Sequence, residues 1–196
     1  MRKKRAQTTK AKIVSAAWKL FYEQGYEDTT VDDIVYESGT SKGSFYHYFS
    51  GKDMLLSSLS YLFDEKYEEL MDTFEPDMTA TDKLLYLNRE LFRLIENTIS
   101  IELLTRLLSS QLITKSEKHL LDRDRTYYKL LRTIIAEGQQ SGEFGTAFSV
   151  GEMVKTYALC ERALMYDWCL CNGEYSLSEY SRRVLPLFLT GYAAQK

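Results

Sequence analysis

Apolar residues recur at helical spacing in one segment after another along this chain. Ile13, Ala17, Leu20 and Phe21 form one stripe of a first helix, from near Thr9 to Gln24, which Gly25 stops. Val31, Ile34 and Val35 mark a short second helix, with Thr30 and Asp33 spaced as a capping box and Gly39 where it must turn. Ser41 caps a third, Lys42 to His47, and a fourth runs from Gly51 or Lys52 to about Thr73, before Pro76. The stripes Leu84, Leu87, Leu91, Leu94, Ile95 and then Ile101, Leu104, Leu107, Leu108, Leu112 predict the fifth and sixth helices. The seventh is expected from about Ser116 to Gln140, followed by the glycine-punctuated turn 141–146. An eighth, about Ser149 to Cys171, and a ninth, about Leu177 to Tyr192 with Pro186 as a kink, are apolar over much of their circumference. The expectation is an all-α fold of about nine helices.

The third helix has two faces at about 100° per residue. Phe45 and Tyr48 lie on one with the small Ser41 and Ser44, and pack on the preceding helix; Lys42, Gly43, Tyr46 and His47 lie on the other. A short helix, a glycine turn and a second short helix make a helix-turn-helix, whose second helix enters a major groove. As an ordinary core hairpin the same residues leave Lys42, Tyr46 and His47 without a role.

Read as a block, IVYESGTSKGSFYHYFSGKDML resembles the DNA-binding signature of the TetR family of bacterial transcription regulators. The resemblance rests on Ser38-Gly39-Thr40-Ser41, Gly43, Phe45-Tyr46, Tyr48-Phe49 and Lys52-Asp53-Met54-Leu55, and it covers about Thr9 to Leu55. Ser38 and Thr40 depart from the usual Ala and Val of the turn. The resemblance implies an N-terminal three-helix helix-turn-helix DNA-binding domain, residues 1–52, and a C-terminal helical ligand-binding and dimerisation domain, residues 53–196. It implies that Lys42, Gly43, Tyr46 and His47 supply groove contacts, while Thr30, Ser41, Ser44, Tyr46 and Lys52 anchor phosphates of a double-stranded DNA operator. The fourth helix then links the DNA-contacting end to the body as one rod.

Charge agrees with that division. Residues 1–52 hold nine Lys/Arg against six Asp/Glu, and the rest sixteen against twenty-two, so a net −3 conceals a cationic N-terminal end. Arg2, Lys3, Lys4 and Arg5 read either as an arm that reaches DNA or as a frayed terminus. The hydrophobic content of 44% suffices for a buried core. No run approaches the ~18 apolar residues of a membrane span. A cytoplasmic protein is expected, with no cofactor.

Cys160, Cys169 and Cys171 are odd in number and lack metal spacing, so they read as packing, with a redox role as the alternative. No catalytic constellation appears, so the chain is not expected to be an enzyme. The resemblance places a small-molecule pocket in the second domain, among Tyr67, Phe92, Leu107, Tyr128, Tyr157 and Glu161. Glu161 faces either a cationic ligand or Arg182 or Arg183 at a subunit interface. The broad apolar surfaces of the last two helices call for a second copy, through Leu164, Trp168, Tyr180, Val184 and Phe188. The reading is a dimeric regulator, a repressor by the family's habit, on a palindromic operator, released by an unidentified effector. The alternatives are a helical protein–protein adaptor or a redox-responsive regulator with no ligand.

Overall fold

A computed structural model gives the fold and describes residues 8–56, 58–113 and 118–194. Two compact units form, Met1–Leu59 and Ser60–Lys196. Ten α-helices lie among the described residues: α1 (Thr9–Gln24), α2 (Val31–Ser38), α3 (Lys42–Tyr48), α4 (Asp53–Leu56), α5 (Leu59–Met71), α6 (Ala80–Thr98), α7 (Ile101–Ile113), α8 (Thr126–Gln140), α9 (Val150–Leu170) and α10 (Leu177–Leu189). The basic residues 2–5 lie outside the described residues, as does Ser116, the expected start of the seventh helix.

In the first unit Ile13, Ala17, Phe21, Ile34 and Phe45 meet in a closed core. The α2–α3 turn is held by Gly39 in the left-handed region at φ 61°, which a side chain rarely adopts. Its N–H donates to the Tyr36 carbonyl, and that of Thr40 to Val35. Ser38 and Thr40, the departures from the family's pattern, hydrogen-bond to one another across this turn at 2.7 Å. Phe49, not Tyr48, shares the inner face with Phe45: Tyr48 is exposed while Phe49 is buried.

The expected single fourth helix is two. Ser58 is a turn residue whose N–H and hydroxyl both donate to the Leu55 carbonyl, three residues back, while its Oγ accepts from Trp18 Nε1 at 3.0 Å. A serine that folds back on the chain and answers a buried indole ends the helix there.

In the second unit α6 packs on α8 and α10, and α9 on α7, α8 and α10. The N-terminus of α6 is closed by the Thr79–Asp82 capping box and by Glu143, whose carboxylate accepts the Ala80 and Thr81 N–H groups at 2.8 and 2.9 Å. Phe144 sits on Gly138 of α8 and pairs with Ala193 in an isolated bridge. Among the described residues, no helix is long and apolar enough to cross a membrane.

Candidate functional site

The outer face of the helix-turn-helix is built from caps and exposed polar side chains. Thr30 caps α2 and Ser41 caps α3, accepting from Ser44 N–H at 3.1 Å. Lys42, Gly43, Tyr46 and His47 are exposed together, and Ser44 is half-buried beside them. Lys42 makes one ion pair, to Asp32 at 2.7 Å, with both side chains more than half exposed. Such a pair contributes little and yields to a stronger anion. Tyr36 of α2, 87% exposed, extends this face. Sequence reading passed it over, although packing Val31, Ile34 and Val35 inward turns position 36 outward.

Lys52, expected among the phosphate contacts, lies against the chain itself. Its ammonium donates to the carbonyls of Tyr26, Glu27 and Thr29 at 2.7, 3.0 and 3.2 Å and lies 4.4 Å from the Tyr26 ring centre. Three N–H donors are thus engaged by the loop between α1 and α2, and Lys52 holds that loop instead of pointing outward.

The second unit carries a buried polar cluster around Glu161, which is 3% exposed. Asn88 Nδ2 donates to Glu161 Oε1 at 2.8 Å, and the Tyr127 hydroxyl donates to Oε2 at 2.5 Å. Arg182 pairs with Glu179 on its own helix, and the Arg162 charge acts on Glu161 from nearby. Burial pushes the Glu161 carboxyl above the usual range, against the lowering effect of Tyr127, Asn88 and Tyr157. Tyr67 stacks 5.2 Å from Tyr127, and among the described residues its buried hydroxyl finds no hydrogen-bond partner. Beside them Arg125 makes a two-point pair to Asp64 of α5, at 3.0 and 2.9 Å.

Two cavities border this cluster. A small inner one of about 40 Å³ is lined by Phe63, Tyr67, Leu91, Leu120, Tyr127, Glu161 and Met165, with Arg125 and Arg162. A larger outer one of about 570 Å³ opens between the α5–α6 loop, α6 and α10, with Arg89, Arg182, Tyr86, Leu85, Pro186 and Asn88 in its wall. Of the pocket residues expected from sequence, Tyr67 and Glu161 line the inner cavity, and Tyr157 is buried with its hydroxyl on the Leu84 carbonyl at 2.9 Å. Tyr128 braces the Leu120 carbonyl at 3.0 Å and accepts from Arg162 at 3.1 Å. Phe92 and Leu107 are fully buried core residues. The outer cavity was not anticipated; its one signal was Pro186, which cannot donate to the Arg182 carbonyl a turn earlier and so loosens α10 there.

Leu164 and Trp168, expected at a subunit interface, lie inward on α9. Both are buried within one subunit, Trp168 at 5% exposure with Nε1 on the Tyr175 carbonyl at 2.7 Å. The exposed apolar seam of α9 is instead Leu159, Ala163, Tyr166 and Leu170. On α10 Tyr180 and Leu187 are exposed, with Val184 and Phe188 half-buried. Burial raises the Cys160 and Cys169 thiols, which moves them away from redox reactivity.

Residues 13–59 match the model of the bacterial regulatory proteins of the tetR family, and residues 63–191 match that of the YsiA-like protein C-terminal region. The chain belongs to the TetR family of transcriptional regulators. It is 27% identical over 183 residues to the fatty acid metabolism regulator protein of Bacillus subtilis, covering 91% of this chain and 93% of that one. It is 28% identical over 141 residues to the transcriptional regulator QacR of Staphylococcus aureus, covering 69% of this chain and 73% of that one. Its fold is that of FadR from Bacillus subtilis, solved in complex with stearoyl-CoA, with a TM-score of 0.69 at 24% identity over 92% of this chain and 97% of that one. FadR of Thermus thermophilus, a repressor solved with lauroyl-CoA, aligns with a TM-score of 0.71 at 21% identity over 96% and 97%. These relatives are regulators rather than enzymes.

Proposed function

We propose that this TetR-family regulator is a dimeric repressor that binds a palindromic operator and leaves it when a fatty acyl-CoA binds the second unit. The observation that carries the DNA half is the exposed arc of α3. Lys42, Gly43, Tyr46 and His47 read base edges, while Thr30, Ser41, Ser44 and Tyr36 position the phosphates. Dimerisation is supported by the seams on α9 and α10: four apolar residues spaced four, three and four apart need a partner helix. The fatty acid metabolism regulator of Bacillus subtilis, similar along nearly its whole length, supports the effector class.

Release requires that the effector prefer a conformation that fits the operator poorly. Helix α5 carries Phe63, Asp64 and Tyr67 of the cluster and follows α4 directly in the chain. An effector that spreads the inner cavity displaces α5, at a coupling of roughly 1–3 kcal/mol, or about 5–150-fold in operator affinity.

The test is a mobility shift on a fragment of the protein's own promoter, with lauroyl- or stearoyl-CoA added. A salt-sensitive shift abolished by the acyl-CoA is expected. Operator binding untouched by saturating acyl-CoA removes the effector half, and absence of any specific shift removes the DNA half.

A further inference from the structure

The helix-turn-helix carries more negative than positive charge. Between Thr29 and Phe49 stand three acids, Asp32, Asp33 and Glu37, against one lysine, Lys42. Two of the acids are engaged away from α3. Asp33 accepts from the N–H and hydroxyl of Thr30 in the α2 cap, and Glu37 pairs with Lys19 of α1 at 2.6 Å. Asp32 is turned to α3, where its carboxylate meets the Lys42 ammonium at 2.7 Å. We propose that Asp32 is a specificity-determining residue: beside Lys42 it accepts from a base amino group in the major groove, and on other sequences its charge opposes binding. This rests on the DNA-reading role given to α3 above and adds to it an acid from α2.

Position and chemistry both support it. Asp32 and the exposed Tyr36 are four residues apart, so they share the outer face of α2. Both side chains of the Asp32–Lys42 pair stay more than half exposed, so the pair adds little to folding and is free to serve binding. An ammonium beside a carboxylate offers donors and acceptors together. Base edges in the major groove offer the complement, with guanine N7 and O6 as acceptors and the cytosine or adenine amino group as donor. When both halves are matched, Lys42 donates to a purine acceptor while Asp32 accepts from the amino group, and neither charge is stranded. A bare phosphate satisfies only Lys42. Drawing the ammonium to it leaves the Asp32 carboxylate without its cation beside an anionic backbone, which penalises every sequence that lacks the amino group at that position. Non-specific affinity is mostly phosphate attraction, so an acid here costs most where no base is read.

Fluorescence anisotropy of the full-length protein tests this on three kinds of DNA: the operator footprinted in its own promoter, a scrambled duplex of the same composition, and operators with each base pair replaced in turn. Asp32→Ala is expected to bind the scrambled duplex more tightly, with a salt slope steeper by about one unit as Lys42 is freed for a phosphate. The ratio of operator to scrambled affinity is expected to fall about tenfold. In the replacement series the loss of preference is expected at one position of each half-site, with the other positions read as in the wild type. Glu37→Ala removes the same charge from α2 away from Lys42 and is expected to keep that preference. Circular dichroism melting confirms that each variant is folded. An unchanged ratio in Asp32→Ala, an equal fall in Glu37→Ala, or a loss spread evenly over all positions overturns the role of Asp32 while leaving the operator reading in place. A wild type that binds operator and scrambled duplex alike removes both.

Discussion

The ammonium of Lys52 sits among three backbone carbonyls, so removing it leaves those acceptors to water at a cost of about 1–3 kcal/mol. Lys52→Ala is expected to lower the melting temperature yet keep the full salt dependence of operator binding well below that temperature. A salt slope smaller by about one unit would return Lys52 to the phosphates. Glu161 gives the second prediction at this scale. Its folded-state value is raised, so the folded protein holds the proton more tightly than the unfolded chain. The stabilisation is complete below the ordinary glutamate value and is lost as pH rises through the folded one, by at most about 1.4 kcal/mol per unit. Glu161→Gln, which cannot ionise, is expected to flatten that decline in thermal melts from pH 5 to 8.

At the scale of elements, periodicity located the helices because each buries one stripe, and it failed where a side chain, not the stripe, sets the boundary. The break at Ser58 is an example: serine is tolerated in helices, and only the distant Trp18 indole explains why this one turns. The helix-turn-helix was legible because caps, a left-handed glycine and an aromatic anchor are local signals. The partners of Lys52 and of Glu161 were not, since each comes from more than twenty residues away. Gly138 in α8 shows the same limit. Alanine there improves helix propensity by about 1 kcal/mol. A Cβ, however, would lie 2.3 Å from the Phe144 ring and 2.9 Å from Ala80. Gly138→Ala is expected to destabilise by about 1–3 kcal/mol, measured by urea unfolding, because the ring that closes the α8–α9 turn must shift.

For the whole molecule the decisive surface is the pair of seams on α9 and α10. Leu187, 74% exposed, and Leu170, 65% exposed, contribute little to the folding of one chain, and in the proposed dimer they form the helix–helix interface. Leu187→Asp and Leu170→Asp are each expected to shift sedimentation from dimer toward monomer and to weaken operator binding, with helical content unchanged. Trp168→Asp, by contrast, is expected to unfold the second unit. A wild type that sediments as a monomer at micromolar concentration removes the dimer. Sequence patterning could detect that these helices are two-sided but not which side faces the subunit's own core, because Trp168 and Leu170 are equally apolar.

The phenols packed around Glu161 also make the core an optical gauge. Burial, then the Glu161 charge, holds Tyr67, Tyr127 and Tyr157 protonated far beyond the usual range, and burial pushes Tyr192 up to about 12. Tyr175 is raised further still, by burial and by the Asp167 carboxylate its hydroxyl donates to. In an alkaline titration read at the tyrosinate absorbance band, the three innermost phenols ionise last, only when the helices themselves melt. That final step counts intact cores directly in solution, without label or added dye.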